Sequence, residues 1–210
     1  MKRAVIFDLD GTLWDSTRGI AQAWNEVFAR RSENKRITPK EVRQLMGLPM
    51  DEICRRVYPA NQEAEQLFQE CADYENEYLA RHGARLYDGV EDTLNTLKKD
   101  YFLAIVSNCQ AGYIEAFLKA NGYEELFDGI LSYGDTLQYK AENIRTLMEQ
   151  NGIEQALYVG DIEGDFRASS KAGIPFIFAR YGFGDVECAY GVNAFSDLIT
   201  EVPKVFAQEY

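Results

Sequence analysis

Apolar positions change their rhythm twice along this chain. Ala4 to Phe7 is a short unbroken apolar run of the kind found in a strand buried on both faces, and it stops at Asp8 and Asp10 with Gly11 directly after. From Trp14 to about Ala84 the spacing is helical. Ile20, Ala23, Trp24, Val27 and Phe28 share one face of a first helix. The stretch Thr38-Pro39-Lys40-Glu41 is a capping box with proline at the first helical position, so a second helix starts there. Gly47-Leu48-Pro49 interrupts it, a short helix follows through Ile53 and Val57, and "NQEAEQLFQECADYENEYLAR" predicts a long helix ending near His82-Gly83. Trp24, Phe28, Tyr74 and Tyr78 recur at helical spacing and read as packing, and His82 reads as a cation at a helix C-terminus.

Beyond Ala84 short apolar runs alternate with amphipathic ones. Asp88 is placed as an N-cap with Glu91 three residues on. "YFLAIVSN" predicts a strand, "AGYIEAFLKANG" a helix closed by Gly122, and "GILSYGD" a strand. "AENIRTLMEQNG" predicts a helix closed by Gly152, "ALYVGD" a strand, "DFRASSKAG" a helix closed by Gly173, and "IPFIFA" a further strand. Glycine-ended helices between fully apolar strands imply βαβ units and a parallel sheet. The fold class expected is α/β: a Rossmann-like parallel sheet core from residues 1–14 and 85–210, with an all-helical cap inserted at 15–84.

Composition narrows the partners. The 210 residues are 46% hydrophobic and 27% charged, which is the balance of a folded chain. Lys and Arg number 22 against 34 Asp and Glu; the resulting net charge of −12 disfavours nucleic acid, whose binders neutralise phosphates along a polymer. Cys54, Cys71, Cys109 and Cys188 show no metal or redox spacing and read as reduced thiols. The apolar run after Lys2-Arg3 is too short for a signal segment, and no stretch has membrane-spanning length, so the expectation is a cytoplasmic protein with no membrane partner.

Open parallel sheets bind ligands at the carboxyl ends of their strands, and the polar residues gather there. One strand ends in Asp8 and Asp10, another in Ser107-Asn108, and a third in Asp161 with Asp165 one helical turn later; Lys140 lies just beyond "GILSY". Carboxylates placed together repel unless a cation or a proton sits among them. An oxygen-only set suits a hard ion such as Mg2+, which borrows further ligands from substrate phosphate. Taken singly each residue has a plainer reading. Asp8 and Asp10 can be turn residues, Ser107-Asn108 a helix cap, Asp165 a helix-start charge, and Lys140 a solvated lysine with Lys171 as its substitute.

In chain order "DLDGTL" from Asp8, "SN" at Ser107, Lys140, and "GDIEGD" from Gly160 resemble the four motifs of the haloacid dehalogenase superfamily. The likeness is to its phosphatase branch with a helical cap after the first motif, near the phosphoglycolate phosphatase group. That resemblance implies Mg2+-dependent hydrolysis of a small phosphorylated metabolite. Asp8 would be the nucleophile forming an aspartyl-phosphate, and Asp10 the acid and then the base. Mg2+ would be held by the Asp8 carboxylate, the Asp10 main-chain carbonyl and Asp161, with Asp165 as ligand or support. Ser107, the adjacent N–H of Asn108, and Lys140 would hold phosphoryl oxygens, and Gly11 would turn the chain so that its N–H and that of Thr12 approach the same phosphate.

Ala141 stands where the family often has proline. The presence of Asp10 argues against dehalogenation, whose halide leaving group needs no proton. A sugar phosphomutase of the β-phosphoglucomutase type is the runner-up, although "STRGIAQAW" lacks that family's cap histidine; phosphonatase chemistry would need a desolvated cap lysine, and Lys35 and Lys40 lie in charged sequence. A phosphate-ligand binding protein without turnover is the alternative from another class. "GLPM" at Gly47 to Met50 is a candidate loop over the site, and Arg18 or Arg180 a candidate partner for a substrate carboxylate.

Overall fold

The computed structural model describes residues 1–57 and 62–210. In chain order the elements begin with β1 (Arg3–Phe7), β2 (Trp14–Asp15), α1 (Thr17–Arg30), α2 (Pro39–Arg43), α3 (Met50–Val57), α4 (Gln62–His82) and β3 (Arg85–Leu86). They continue with α5 (Val90–Leu97), β4 (Phe102–Ser107), α6 (Tyr113–Asn121), β5 (Gly129–Ser132), α7 (Tyr133–Thr136), α8 (Lys140–Asn151), β6 (Gln155–Gly160), α9 (Glu163–Ala172), β7 (Phe176–Ala179) and β8 (Tyr190–Val192). A 3-10 turn at Phe195–Asp197 leads into α10 (Leu198–Glu209).

Six strands form one parallel sheet in the order β5-β4-β1-β6-β7-β8, the Rossmann-like α/β arrangement. β1 lies inside, with Phe7 beside Ile105 on one neighbour and Val159 on the other. Alternation along the strands sorts side chains to two faces. Val5, Phe7, Ile105 and Val159 pack with Leu94, Phe117, Val202 and Phe206 of α5, α6 and α10. Ala4, Ile6, Val106 and Tyr158 pack with Ile144 and Leu147 of α8. Phe7 meets Phe127 edge-on at 6.3 Å and stacks on Phe195 at 5.9 Å. Truncating it to alanine would cost about 3–5 kcal/mol, since a packed ring leaves a cavity that the sheet cannot close.

Between β2 and β3, which pair antiparallel as a two-stranded ribbon, lie α1 to α4. α1 packs along α4, with Trp24 edge-on to Phe68 at 5.4 Å; α2 rests on α1, and α3 on α4. The capping box forms as the sequence predicts: Thr38 N–H donates to Glu41 Oε2 at 2.8 Å, and Glu41 N–H to Thr38 Oγ1 at 3.3 Å. α4 also packs against α6, so the hydrophobic interior runs from these helices into the sheet layer without a break.

Some boundaries differ from expectation. The N-cap of α5 is Gly89 at φ 78, one residue after Asp88, because the chain turns there through a left-handed conformation that asparaginyl-type capping does not supply. β5 ends at Ser132, whose hydroxyl accepts from Asp135 N–H at 3.1 Å and coils Tyr133–Thr136 into α7. Beyond Ala179 the sequence pattern is silent on β8 and α10; the strand is very short, and Pro203 inside α10 reads as a breaker. Asn61, the first residue of the quoted long-helix stretch, lies outside the described residues.

Candidate active site

Because β4, β1 and β6 are parallel neighbours, their carboxyl ends bring Ser107, Asp8 and Asp161 to one spot. Lys140, the first residue of α8, is 3% exposed and reaches the same spot: its Nζ is 2.9 Å from Asp8 Oδ1 and 2.5 Å from Asp165 Oδ1. Lys171, its possible substitute, is exposed. Asp165 combines both readings offered for it. Its Oδ2 accepts the N–H groups of Asp161 at 3.0 Å and Ile162 at 3.2 Å, as a helix-start carboxylate does, while its other oxygen meets Lys140. Asp161 accepts from Phe183 N–H at 2.7 Å and from the Thr12 hydroxyl at 3.4 Å.

Asp8, Asp161 and Asp165 are buried and each offers an oxygen within 4.8 Å of the others. Burial, then the charges of Asp165 and Asp8, push the Asp161 carboxyl well above its usual range. Burial and Asp8 raise Asp165 to about 6 against the pull of Lys140. For Lys140 burial works against the charge, but Asp165 and Asp8 outweigh it and hold the ammonium above its ordinary value. One lysine facing three buried acids leaves negative charge uncompensated. This all-oxygen set fits a hard divalent cation.

Asp10 stands outside that oxygen cluster, among the described residues. Its Oδ1 accepts from the Ser16 hydroxyl and, at 2.9 Å, from Tyr113 OH. Burial pushes its pKa up to about 7, the Ser16 hydrogen bond pulls back, and the charge of Asp8 adds to the rise. A carboxyl poised there can give and take a proton near neutral pH.

The roles expected of Gly11 and Thr12 change. Gly11 N–H donates to Trp14 O at 2.9 Å and Thr12 N–H to Leu9 O at 3.3 Å, so the turn itself takes up the amides expected to reach phosphate. Gly11 is required for conformation and space: it sits at φ 83, and a Cβ there would strike the Asp161 carboxylate. The Asn108 side chain is a bracket. Its Nδ2 donates to Gly47 O at 3.0 Å and its Oδ1 accepts Lys140 N–H at 3.1 Å, which ties the Gly47-Leu48-Pro49 loop to the start of α8.

Sequence reasoning passed over Ser16 and Tyr113, which hold Asp10, and the Gly182-Phe183 segment, which holds Asp161. Gly182 has no room for a Cβ against Asp161 and the Gly11 carbonyl, a close approach signalled only by the glycines of "RYGFG". Tyr113 carried no signal beyond its place on an apolar helix face.

Above the acids lies a cavity of about 50 Å³. Its far wall comes from α1 to α4 and is mostly apolar, with Trp24, Leu45, Met46, Leu48 and Ile53. Glu75 of α4 is the exception, 2% exposed, its Oε2 accepting from Trp24 Nε1 at 2.5 Å and its Oε1 from Gln110 Nε2 at 2.9 Å. Burial pushes its pKa up to about 8 despite the Gln110 and Trp24 donors, and Asp10 adds to the rise. Arg18 and Arg180, the sequence's candidates for a substrate carboxylate, are exposed and do not line this cavity.

A parallel sheet with buried acids and a lysine converging beyond adjacent strand ends, roofed by inserted helices, places a charge-handling site where open α/β sheets bind their ligands. Residues 5–179 match the haloacid dehalogenase-like hydrolase family, and the chain belongs to that family. A phosphoglycolate phosphatase of Rhodospirillum rubrum is 30% identical over 200 residues, covering 87% of this chain and 81% of that protein. One from Aliivibrio fischeri is 28% identical over 199 residues, covering 88% and 87%. Among solved structures, a predicted phosphatase from Clostridium acetobutylicum superimposes with a TM-score of 0.79 at 25% identity, over 97% of this chain and 99% of that one. CbbY from Rhodobacter sphaeroides, solved in complex with phosphate, gives 0.80 at 23% identity over 94% and 96%, a likeness of fold.

Proposed function

We propose that this enzyme is a phosphoric monoester hydrolase that cleaves a small phosphate monoester through an aspartyl-phosphate on Asp8, with Mg2+ as cofactor. The convergence of Lys140, Asp8, Asp161 and Asp165 in one buried spot supports this reading most directly, since such a group is costly unless it handles charge. The names of its curated relatives, phosphoglycolate phosphatases, agree with it.

An Asp8 carboxylate oxygen attacks phosphorus, the bond from phosphorus to the ester oxygen breaks, and Asp10 gives that oxygen its proton. Asp10, now ionised, takes a proton from water as the water oxygen attacks the same phosphorus; phosphate leaves and Asp8 is regenerated. Lys140 lies against the Asp8 oxygen and offers its charge to the phosphoryl oxygens, and the Ser107 hydroxyl lines the same floor. Bound by Asp8, Asp161, Asp165 and the Asp10 main-chain carbonyl, Mg2+ would lower the repulsion between anionic nucleophile and anionic ester.

In this reading residues 15–84 are a cap over a core of 1–14 and 85–210, with the β2–β3 ribbon at the two crossings. The cap is fastened by Asn108 to Gly47 O and by Arg43, which donates to the Gly182 and Phe183 carbonyls at 3.0 and 3.3 Å. The reaction is assigned to the cytoplasm, in keeping with cysteines that are all free; among the described residues no helix is long and apolar enough to cross a membrane. The purified protein should release phosphate from p-nitrophenyl phosphate with Mg2+, stop on addition of EDTA, and be inactive as Asp8→Asn. Phosphate release that survives both treatments would overturn the proposal.

A further inference from the structure

The cavity wall that would face the rest of the substrate is unusual in its charge. Lys140 is spent on Asp8 and Asp165 at the floor, Arg43 is turned to the Gly182-Phe183 carbonyls, and Arg18 and Arg180 are exposed elsewhere. Among the described residues, no arginine, lysine or histidine lines the cavity. Its acidic lining residues are Asp8, Asp10 and Glu75, and the remainder of the roof is largely apolar.

A carboxylate on the substrate's leaving group would have to shed its water into this wall without gaining a cation. Removing an anion from water without a partner costs more than an apolar surface returns. Glu75 sharpens the exclusion. Both its oxygens accept, from the indole N–H of Trp24 and the amide of Gln110, and with its pKa raised by burial the carboxyl also keeps a proton to donate near neutral pH. A hydroxyl can both give to and accept from such a group, whereas a carboxylate can only accept and brings its charge into an apolar wall with no cation.

We infer that the cavity selects phosphate monoesters whose leaving group is uncharged, a small alcohol or polyol rather than a hydroxy acid, with Glu75 as the specificity-determining hydrogen-bond partner of a substrate hydroxyl. The inference rests on the phosphatase reading and separates this chain from the substrate that its relatives' names carry. A site built to pair a hydroxyl discriminates more strongly than an apolar pocket does, because the wrong group leaves buried polar atoms unpaired.

The test compares kcat/KM of the unmodified, Mg2+-loaded enzyme for 2-hydroxyethyl phosphate and 2-phosphoglycolate, which differ by a hydroxymethyl against a carboxylate, with p-nitrophenyl phosphate as the control. The hydroxyethyl ester should be preferred by roughly tenfold or more. Turnover of p-nitrophenyl phosphate with phosphoglycolate equal or preferred overturns this inference and leaves the phosphatase reading standing. No turnover of any of the three overturns both. Glu75→Leu, which removes both donor and acceptor, should narrow the preference several-fold, chiefly through a raised KM for the hydroxyethyl ester; an unchanged ratio in a folded variant removes Glu75 from the role.

Discussion

The floor and the roof of the cavity obey opposite rules. The floor is built from strand ends, carries three clustered acids and one lysine, and is held by short hydrogen bonds from neighbouring backbone. The roof is built from helices, is mostly apolar, and holds one carboxyl between an indole and an amide. A floor of that kind handles one invariant group, the phosphoryl; a roof of that kind meets whatever is attached to it. Reaction and specificity are therefore separable in this molecule, and substitutions on the two sides should leave different kinetic marks.

The largest effect should come from the floor. Asp10→Asn is expected to lower kcat/KM, which reports the steps up to phosphoenzyme formation, by about a thousandfold on an alkyl phosphate, since general acid–base catalysis contributes roughly 10²–10⁴, and by much less on p-nitrophenyl phosphate, whose leaving group departs unprotonated. Equal losses on both esters, measured in steady state, would count against Asp10 as the acid. Next in size is Lys140→Met. It strands Asp8 and Asp165 without their cation, and urea unfolding of the metal-free protein should show a loss of about 3–5 kcal/mol. Unchanged stability would mean that the ion pairs do not hold the floor together.

A smaller effect is one of pH. In the proposed mechanism Asp10 is protonated for ester cleavage, so kcat/KM for an alkyl phosphate should fall as pH rises through about 7. Tyr113→Phe removes a donor that favours the ionised form, so the falling limb should move to higher pH. A limb that stays in place or moves down would break the link between Tyr113 and Asp10.

The smallest effect belongs to the roof. Glu75 has its pKa raised from 4.5 to about 8 on folding, so it contributes stability below 4.5 that is lost as pH rises through about 8. Thermal unfolding of Glu75→Gln should show a weaker loss of stability over that window than the unmodified protein. Parallel curves would show that Glu75 is not buried as described.

The same contrast explains what the sequence disclosed. Asp8 and Asp161 were legible because an acid directly after an apolar strand violates the strand's own pattern, and parallel topology then brings such violations together; Asp165, in the first turn of α9, follows Asp161 by one helical turn. Lys140 looked like an ordinary helix-start lysine, and only the fold shows it lying 2.9 Å from Asp8. Gly11 and Thr12 were placed correctly along the chain but given work that their amides do elsewhere, because a turn's internal hydrogen bonds cannot be counted from residue types. The roof was nearly illegible. Trp24 and Glu75 sit where helical periodicity expects packing, and nothing in their spacing distinguishes a residue facing a cavity from one facing a core. Tyr113 and Gln110 act across long separations in sequence, a relation that local pattern does not carry.

Mass analysis of the protein quenched during turnover of a phosphate monoester tests the central claim most directly, by reading whether the floor itself carries the phosphoryl group. The account predicts the added mass of a single phosphoryl group, lodged on the peptide that contains Asp8 and absent from Asp8→Asn. Phosphate released in the same reaction with Asp8 never modified, and with Asp8→Asn still active, would contradict it.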